Sequence, residues 1–265
     1  MDYETIILEK KEFVATVTFN RPDKLNAVNT RMRRELGDVF GRLDEDDETR
    51  VIVITGQGRG FCTGADTAEL FQSRKDKEEQ GVRDDVIRSR KKEHPLVLAN
   101  IRKPTIAAIN GLAVGGGCTM SLNCDIRIAS EAARFMLPFT RLGGSPELGS
   151  TYFLPRIVGI AKACELMFTS RMIDAREARE IGLVNQVVPA EELARASWEM
   201  ASSIAKLSPL SVQACKRALY QGLDDNLAAQ LQFEDFAQNY LRGTEDLREA
   251  TRAFREKRDG VFKGK

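Results

Sequence analysis

The run Val51-Ile52-Val53-Ile54-Thr55 limits the fold more than any other part of the sequence. A strand with one wet face alternates apolar and polar residues, so an unbroken β-branched run marks a strand buried on both faces, as in a parallel sheet covered by helices. TIAAI (105–109) and DIRIA (125–129) read as further strands. Between Asn29 and Leu43, the apolar residues Met32, Leu36, Val39, Phe40 and Leu43 recur at helical spacing. Ahead of them, TIILEK and FVATVTF read as paired strands, ended at Asn20-Arg21-Pro22-Asp23 by a proline that fixes φ and removes a ladder donor. From Asp174 the pattern becomes almost entirely helical. Helix starts are signalled by Asp174 with Glu177, by Ser208-Pro209, and by Thr244 before Glu245-Asp246. The expected class is α/β, with a core over residues 1–190 and a helical portion over 191–265.

Charge and composition remove several function classes. Forty Lys and Arg against 39 Asp and Glu leave a net charge of +1, without the basic excess of a general nucleic-acid binder. The longest mostly apolar stretch, Ile106 to Val114, is too short to cross a membrane and contains Asn110 and Gly111. The beginning, MDYETIILEKKEF, lacks the basic-then-apolar pattern of a secretory signal. Five cysteines with no CxxC pair suit a reducing compartment, so a cytoplasmic location is expected. The single histidine, His94, rules out a His-rich metal site, and no metal or separate cofactor is expected. His94 reads as an exposed helix-end residue, leaving acid–base chemistry to carboxylates. Residues 72–93 carry 14 charges in 22 positions and read as a solvated helix or loop.

Two glycine segments, GQGRGFCTGAD (56–66) and NGLAVGGGCTMSL (110–122), each follow a strand-like run. No GxxxxGK[ST] occurs, and Phe61 and Met120 stand where a GxGxxG pattern would need its last glycine, which disfavours nucleotide binding of the Rossmann kind. Either segment alone reads as a tight turn. Together they offer backbone N–H groups, one set at a helix start after Gly115-Gly116-Gly117, that could converge on one oxygen as an oxyanion hole.

RPDKLNAV, GFCTGADTAEL, NGLAVGGGCTMSLNCDIRIAS and LPFTRLGGSPELGSTYFLPRIVG resemble, in this order, the enoyl-CoA hydratase/isomerase (crotonase) superfamily. The resemblance runs from residue 5 to the end. It implies a spiral core of ββα repeats, a helical C-terminal trimerisation region and an acyl-CoA thioester substrate, coenzyme A being part of that substrate. It also implies a homotrimer or dimer of trimers.

Carried over residue by residue, the resemblance makes the N–H groups of Ala65 and Gly116 the oxyanion donors. The two glutamates of typical hydratases are missing: Thr119 stands at one position and Phe139, after Pro138, at the other. LGGSPELGS instead resembles the catalytic loop of peroxisomal-type Δ3,Δ2-enoyl-CoA isomerases, which makes Glu147 the one catalytic carboxylate. The expected reaction is a 3-enoyl to 2-enoyl shift, with single-carboxylate hydration or another conversion of this family as the alternative and a non-catalytic acyl-CoA binder as a third reading. Phe139, Leu142 and Leu148 are expected to form an apolar pocket that raises the Glu147 pKa. For the coenzyme, the resemblance points to Lys24 and Arg59 at the phosphates, to Leu25, Ala27 and Thr63 at the adenine, and to Asp66 along the adenine and pantetheine path. Phe262 and Lys263, in a tail of net charge +4 (252–265), would reach a neighbouring subunit's coenzyme. Cys62 and Cys118, beside the donors, read as small buried thiols, Asp125 as a loop anchor, and Glu69 as part of a solvated helix face.

Overall fold

The structure, a computed structural model, describes residues 3–69, 71, 72 and 98–265. His94 and most of the charged run 72–93 lie outside the described residues.

A six-stranded sheet runs in the order β1 (Ile6–Lys11), β2 (Val14–Phe19), β3 (Val51–Gly56), β5 (Thr105–Ile109), β7 (Ile126–Ser130), β10 (Gln186–Val188). β1 and β2 are antiparallel and the other neighbours parallel. The VIVIT run behaves as its composition requires. Ile52 and Ile54 enter the larger core with Val17 and Phe19, whereas Val51 and Val53 enter a second core on the opposite face with Ile106 and Ile128. Helix α1 (Thr30–Glu45) covers the first face with Met32, Leu36, Val39, Phe40 and Leu43, the five residues its periodicity selects. Asn29 caps it, accepting from the Met32 N–H at 2.8 Å.

A smaller sheet runs β4 (Gly60–Cys62), β6 (Leu112–Val114), β8 (Arg134–Met136), β9 (Ile173–Asp174), parallel as far as β8 and antiparallel to β9. Each repeat sends one strand to each sheet and then a helix. β5, β6 and α2 (Gly116–Leu122) form one such unit, and β7, β8 and α3 (Ser150–Val158) the next. This is the ββα spiral. α4 (Ile160–Thr169) and α5 (Ala175–Glu180) follow, the latter capped by Asp174, which accepts from the Glu177 N–H at 2.8 Å.

The part after Asp174 departs from the expected all-helical reading. β10 returns to the main sheet beside β7, and α6 (Leu193–Ala205) packs on that sheet with Leu193, Ala201 and Ala205 in the second core. The expected division at 190/191 therefore falls inside sheet packing. α7 (Pro209–Gln221) is tied to the core by Asp125, which accepts from Lys216 Nζ and the Tyr220 hydroxyl at 2.8 Å each and from the Thr105 N–H at 2.7 Å. Asp125 is thus the anchor expected of it. α8 (Leu227–Arg242) buries no residue; its Leu227, Leu231, Phe236 and Tyr240 are exposed. α9 (Glu245–Glu256) is the last helix, followed by the tail 257–265.

Candidate active site

Three parallel strands of the small sheet deliver the proposed site from their C-terminal ends. β4 and β6 pair with Cys62 opposite Ala113. Ala65 and Gly116 each lie three residues beyond that pair, so register alone sets the two loops side by side. Their approach is close enough to exclude side chains. A Cβ on Gly117 would fall 2.1 Å from the Cys62 carbonyl oxygen, and one on Gly64 3.1 Å from the Gly116 nitrogen. Gly116 opens α2, so its N–H has no acceptor within the helix. The Ala65 N–H is left over for another reason. Val28 bridges the residues on either side, donating to the Gly64 carbonyl at 2.7 Å and accepting from the Asp66 N–H at 3.0 Å.

The third strand, β8, leads into residues 137–149, which carry Glu147. A Cβ on Gly116 would stand 2.7 Å from Glu147 Oε1 and 3.7 Å from Gly64 Cα. One carboxylate is thereby placed against the helix that presents one donor and beside the loop that presents the other. Val28, Arg33, Gly64, Ala65, Gly116, Met120, Glu147 and Leu148 line this cleft.

The apolar jacket expected around Glu147 does not form. Leu142 is 75% exposed and Phe139 is buried in the main core, so of the three residues only Leu148 lines the cleft. Glu147 is exposed. The physical reason is the loop itself, whose residues 141–145 all face solvent and leave Leu142 nothing apolar to pack on. Thr119, at one missing-glutamate position, is fully buried and bonds its own helix at the Gly115 carbonyl. Burial pushes the Cys62 and Cys118 thiols up to about 12, so they remain inert, as their reading as buried thiols requires.

The coenzyme candidates divide. Leu25, Ala27 and Thr63 are brought together, with the Thr63 hydroxyl donating to the Leu25 carbonyl at 3.3 Å, while Lys24 and Arg59 face solvent nearby in sequence. Asp66 does something the sequence does not disclose. It pairs with Arg21 at 2.9 Å while Arg21 also donates to the Ala27 carbonyl. Burial acts to raise the Asp66 pKa, but Arg21 and the N–H groups of Glu69 and Ala68 outweigh it and hold the carboxyl below its ordinary range. Glu69 lies on an exposed helix face, as expected, and also accepts from the Thr30 N–H in the first turn of α1 at 2.8 Å. The tail is fastened to its own chain: Arg50 donates to the Phe262 carbonyl at 2.6 Å, and the Lys263 N–H donates to Asp246 at 2.8 Å.

The comparisons with known proteins fall on this geometry. The family model described as enoyl-CoA hydratase/isomerase matches residues 9–265. The chain belongs to that family. It is 39% identical over 260 residues to a short-chain-enoyl-CoA hydratase of Clostridium acetobutylicum, with 97% of both chains covered. It is 35% identical to a 1,2-epoxyphenylacetyl-CoA isomerase of Escherichia coli, with 99% of both covered. Among solved structures, an enoyl-CoA hydratase from Bacillus anthracis superposes with a TM-score of 0.88 at 34% identity, covering 99% of this chain and 100% of the other. These relatives carry hydratase names more often than isomerase names, so the isomerase-like loop does not carry over to the names. Arg33, Met120 and Val28, also in the cleft, escape the sequence reading. Arg33 sits among several exposed arginines of α1, and nothing in its spacing marks it.

Proposed function

We propose that this member of the family converts an enoyl-CoA thioester with Glu147 as its only acid–base group. The carrying observation is Glu147 Oε1 against Gly116, together with Thr119 and Phe139 where the resemblance places the two hydratase glutamates. The thioester oxygen lies between the Ala65 and Gly116 N–H groups, which stabilise it as it becomes an enolate oxygen. In the double-bond shift, Glu147 takes a proton from C2 of a 3-enoyl thioester and the electrons form a dienolate. The same proton returns to C4, leaving the 2-enoyl product.

Hydration is the second reading, favoured by the names of the relatives. One carboxylate serves it too: Glu147 takes a proton from water as the oxygen joins C3, then gives a proton to C2. In either case coenzyme A enters along Leu25, Ala27 and Thr63, with Lys24, Arg59 and Asp66 on its path. Of the expected acyl contacts, Phe139 and Leu142 drop out and Leu148 stays, the one of the three that lines the cleft. The exposed apolar face of α8 supports assembly into a trimer or a dimer of trimers, where Phe262 and Lys263 would meet a neighbouring subunit's coenzyme. The location proposed is the cytoplasm.

The test incubates purified protein with 3-hexenoyl-CoA and, separately, with crotonyl-CoA, following conjugated-thioester absorbance and product mass. Rising absorbance at unchanged mass identifies the shift, and gain of one water identifies hydration. Binding of both thioesters with no turnover would favour a non-catalytic binder.

A further inference from the structure

Two hydrogen bonds from one buried amide join the donor helix to the Glu147 loop. Asn123 follows the last residue of α2 and is fully buried. Its Nδ2 donates to the Thr119 carbonyl at 2.8 Å and to the Leu148 carbonyl at 2.9 Å, which uses both amide hydrogens. Its Oδ1 is buried and has no hydrogen-bond partner among the described residues. The orientation is nevertheless fixed. Turned over, the amide would set its oxygen against two carbonyl oxygens. A buried acceptor without a partner costs stability, and an apolar side chain of similar volume would avoid that cost. What the Asn supplies in return is its pair of donors.

The residue it holds is strained. Leu148 has φ 53°, the left-handed region that a residue with a branched side chain enters only under constraint. Leu148 directly follows Glu147, so its backbone sets the direction in which the Glu147 side chain leaves the chain. Earlier in the loop, residues 141–145 face solvent but are held by the loop's own turns, with the Leu142 and Gly144 N–H groups donating to the Pro138 and Phe139 carbonyls at 3.0 and 2.8 Å, and the Thr140 hydroxyl donates to the Met167 carbonyl at 2.7 Å. At the end near Glu147, the Ser150 N–H donates to the Glu147 carbonyl at 3.0 Å, a bond within the loop's own turn. The Asn123 bond ties this end to the helix that begins at Gly116.

We infer that Asn123 is a positioning residue for the acid–base step: by clamping left-handed Leu148 to the donor helix, it fixes Glu147 against the enolate site. This rests on Glu147 being the base, and the test separates the two ideas.

Exchange of the C2 protons of butyryl-CoA in D2O reads the base step alone, whichever overall reaction follows. Asn123→Ala is expected to slow exchange about 10-fold or more while changing the Kd for butyryl-CoA less than about twofold. Glycine adopts positive φ without strain, so a clamp matters less when residue 148 is glycine. In a Leu148→Gly background the same Asn123→Ala change is therefore expected to slow exchange less than about threefold. An equal loss in both backgrounds, or no loss in the first, overturns the inference.

The crystal structure of Asn123→Ala gives a readout independent of turnover. Residues 147–149 are expected to shift away from Gly116 with 115–122 unmoved. Leu148 left at φ near 53° with Glu147 in place would overturn the clamp. Absence of exchange in the unmodified protein would instead count against Glu147 as the base, leaving that crystal structure to decide on Asn123.

Discussion

The two halves of the candidate site are built in opposite ways. Ala65 and Gly116 offer backbone N–H groups from loops locked to each other, to Val28 and to the small sheet, with no room for a side chain at Gly117. Glu147 stands on an exposed loop, held near its end by Asn123. The charge-stabilising half is thus inseparable from the fold. The acid–base half can change by single substitutions without touching the core. With the roles proposed for these residues, the contrast puts the choice of reaction on the exposed loop.

The contrast can be broken at graded points. Glu147→Gln is expected to lower turnover by about 10²–10⁴-fold, with butyryl-CoA affinity and the melting curve unchanged. Steady-state rates with a thermal scan check it. On the donor side, Ala65→Pro removes one N–H and is expected to cost about 10²–10³-fold in kcat, with circular dichroism establishing that the fold survives. Leu36→Ala, in the core of α1, should behave in the reverse manner. It is expected to destabilise by about 2–5 kcal/mol in urea unfolding with activity per folded molecule retained. Asp66→Asn frees Arg21 beside the Val28 and Asp66 pairing that flanks Ala65, for an expected loss of about 10-fold in kcat/KM, read from steady-state rates.

The smallest effect concerns pH. Hydrogen bonds from Lys10 and Thr49 hold Asp46 at about 2, below its usual 3.8. A lowered folded-state pKa means stability that is present above pH 3.8 and is lost as pH falls through about 2. Asp46→Asn should therefore cost about 1 kcal/mol at pH 7, with the difference shrinking between pH 4 and pH 2. Urea midpoints across that range check it.

The sequence revealed elements whose period or cap is local. α1 showed its buried stripe, β3 its two buried faces, and Ser208 and Thr244 their helix starts. The small sheet was not read strand by strand, because β4, β6 and β8 have three residues each, too few to display alternation. β10 was hidden in a stretch of helical character for the same reason. In the site, the glycine loops were readable because close backbone approach demands glycine. The roles of Arg21, Glu69 and Asn123 were not readable, since each depends on a partner 25 to 45 residues away in sequence that only the fold brings near.

The central claim is that one carboxylate, Glu147, moves the C2 proton of a thioester held by two backbone N–H donors. Deuterium uptake at C2 of butyryl-CoA, in the unmodified protein and in Glu147→Gln, tests it most directly. Uptake in the first and a loss of about 10²-fold or more in the second, at equal affinity, is the predicted result. Uptake at the same rate in both would contradict the account.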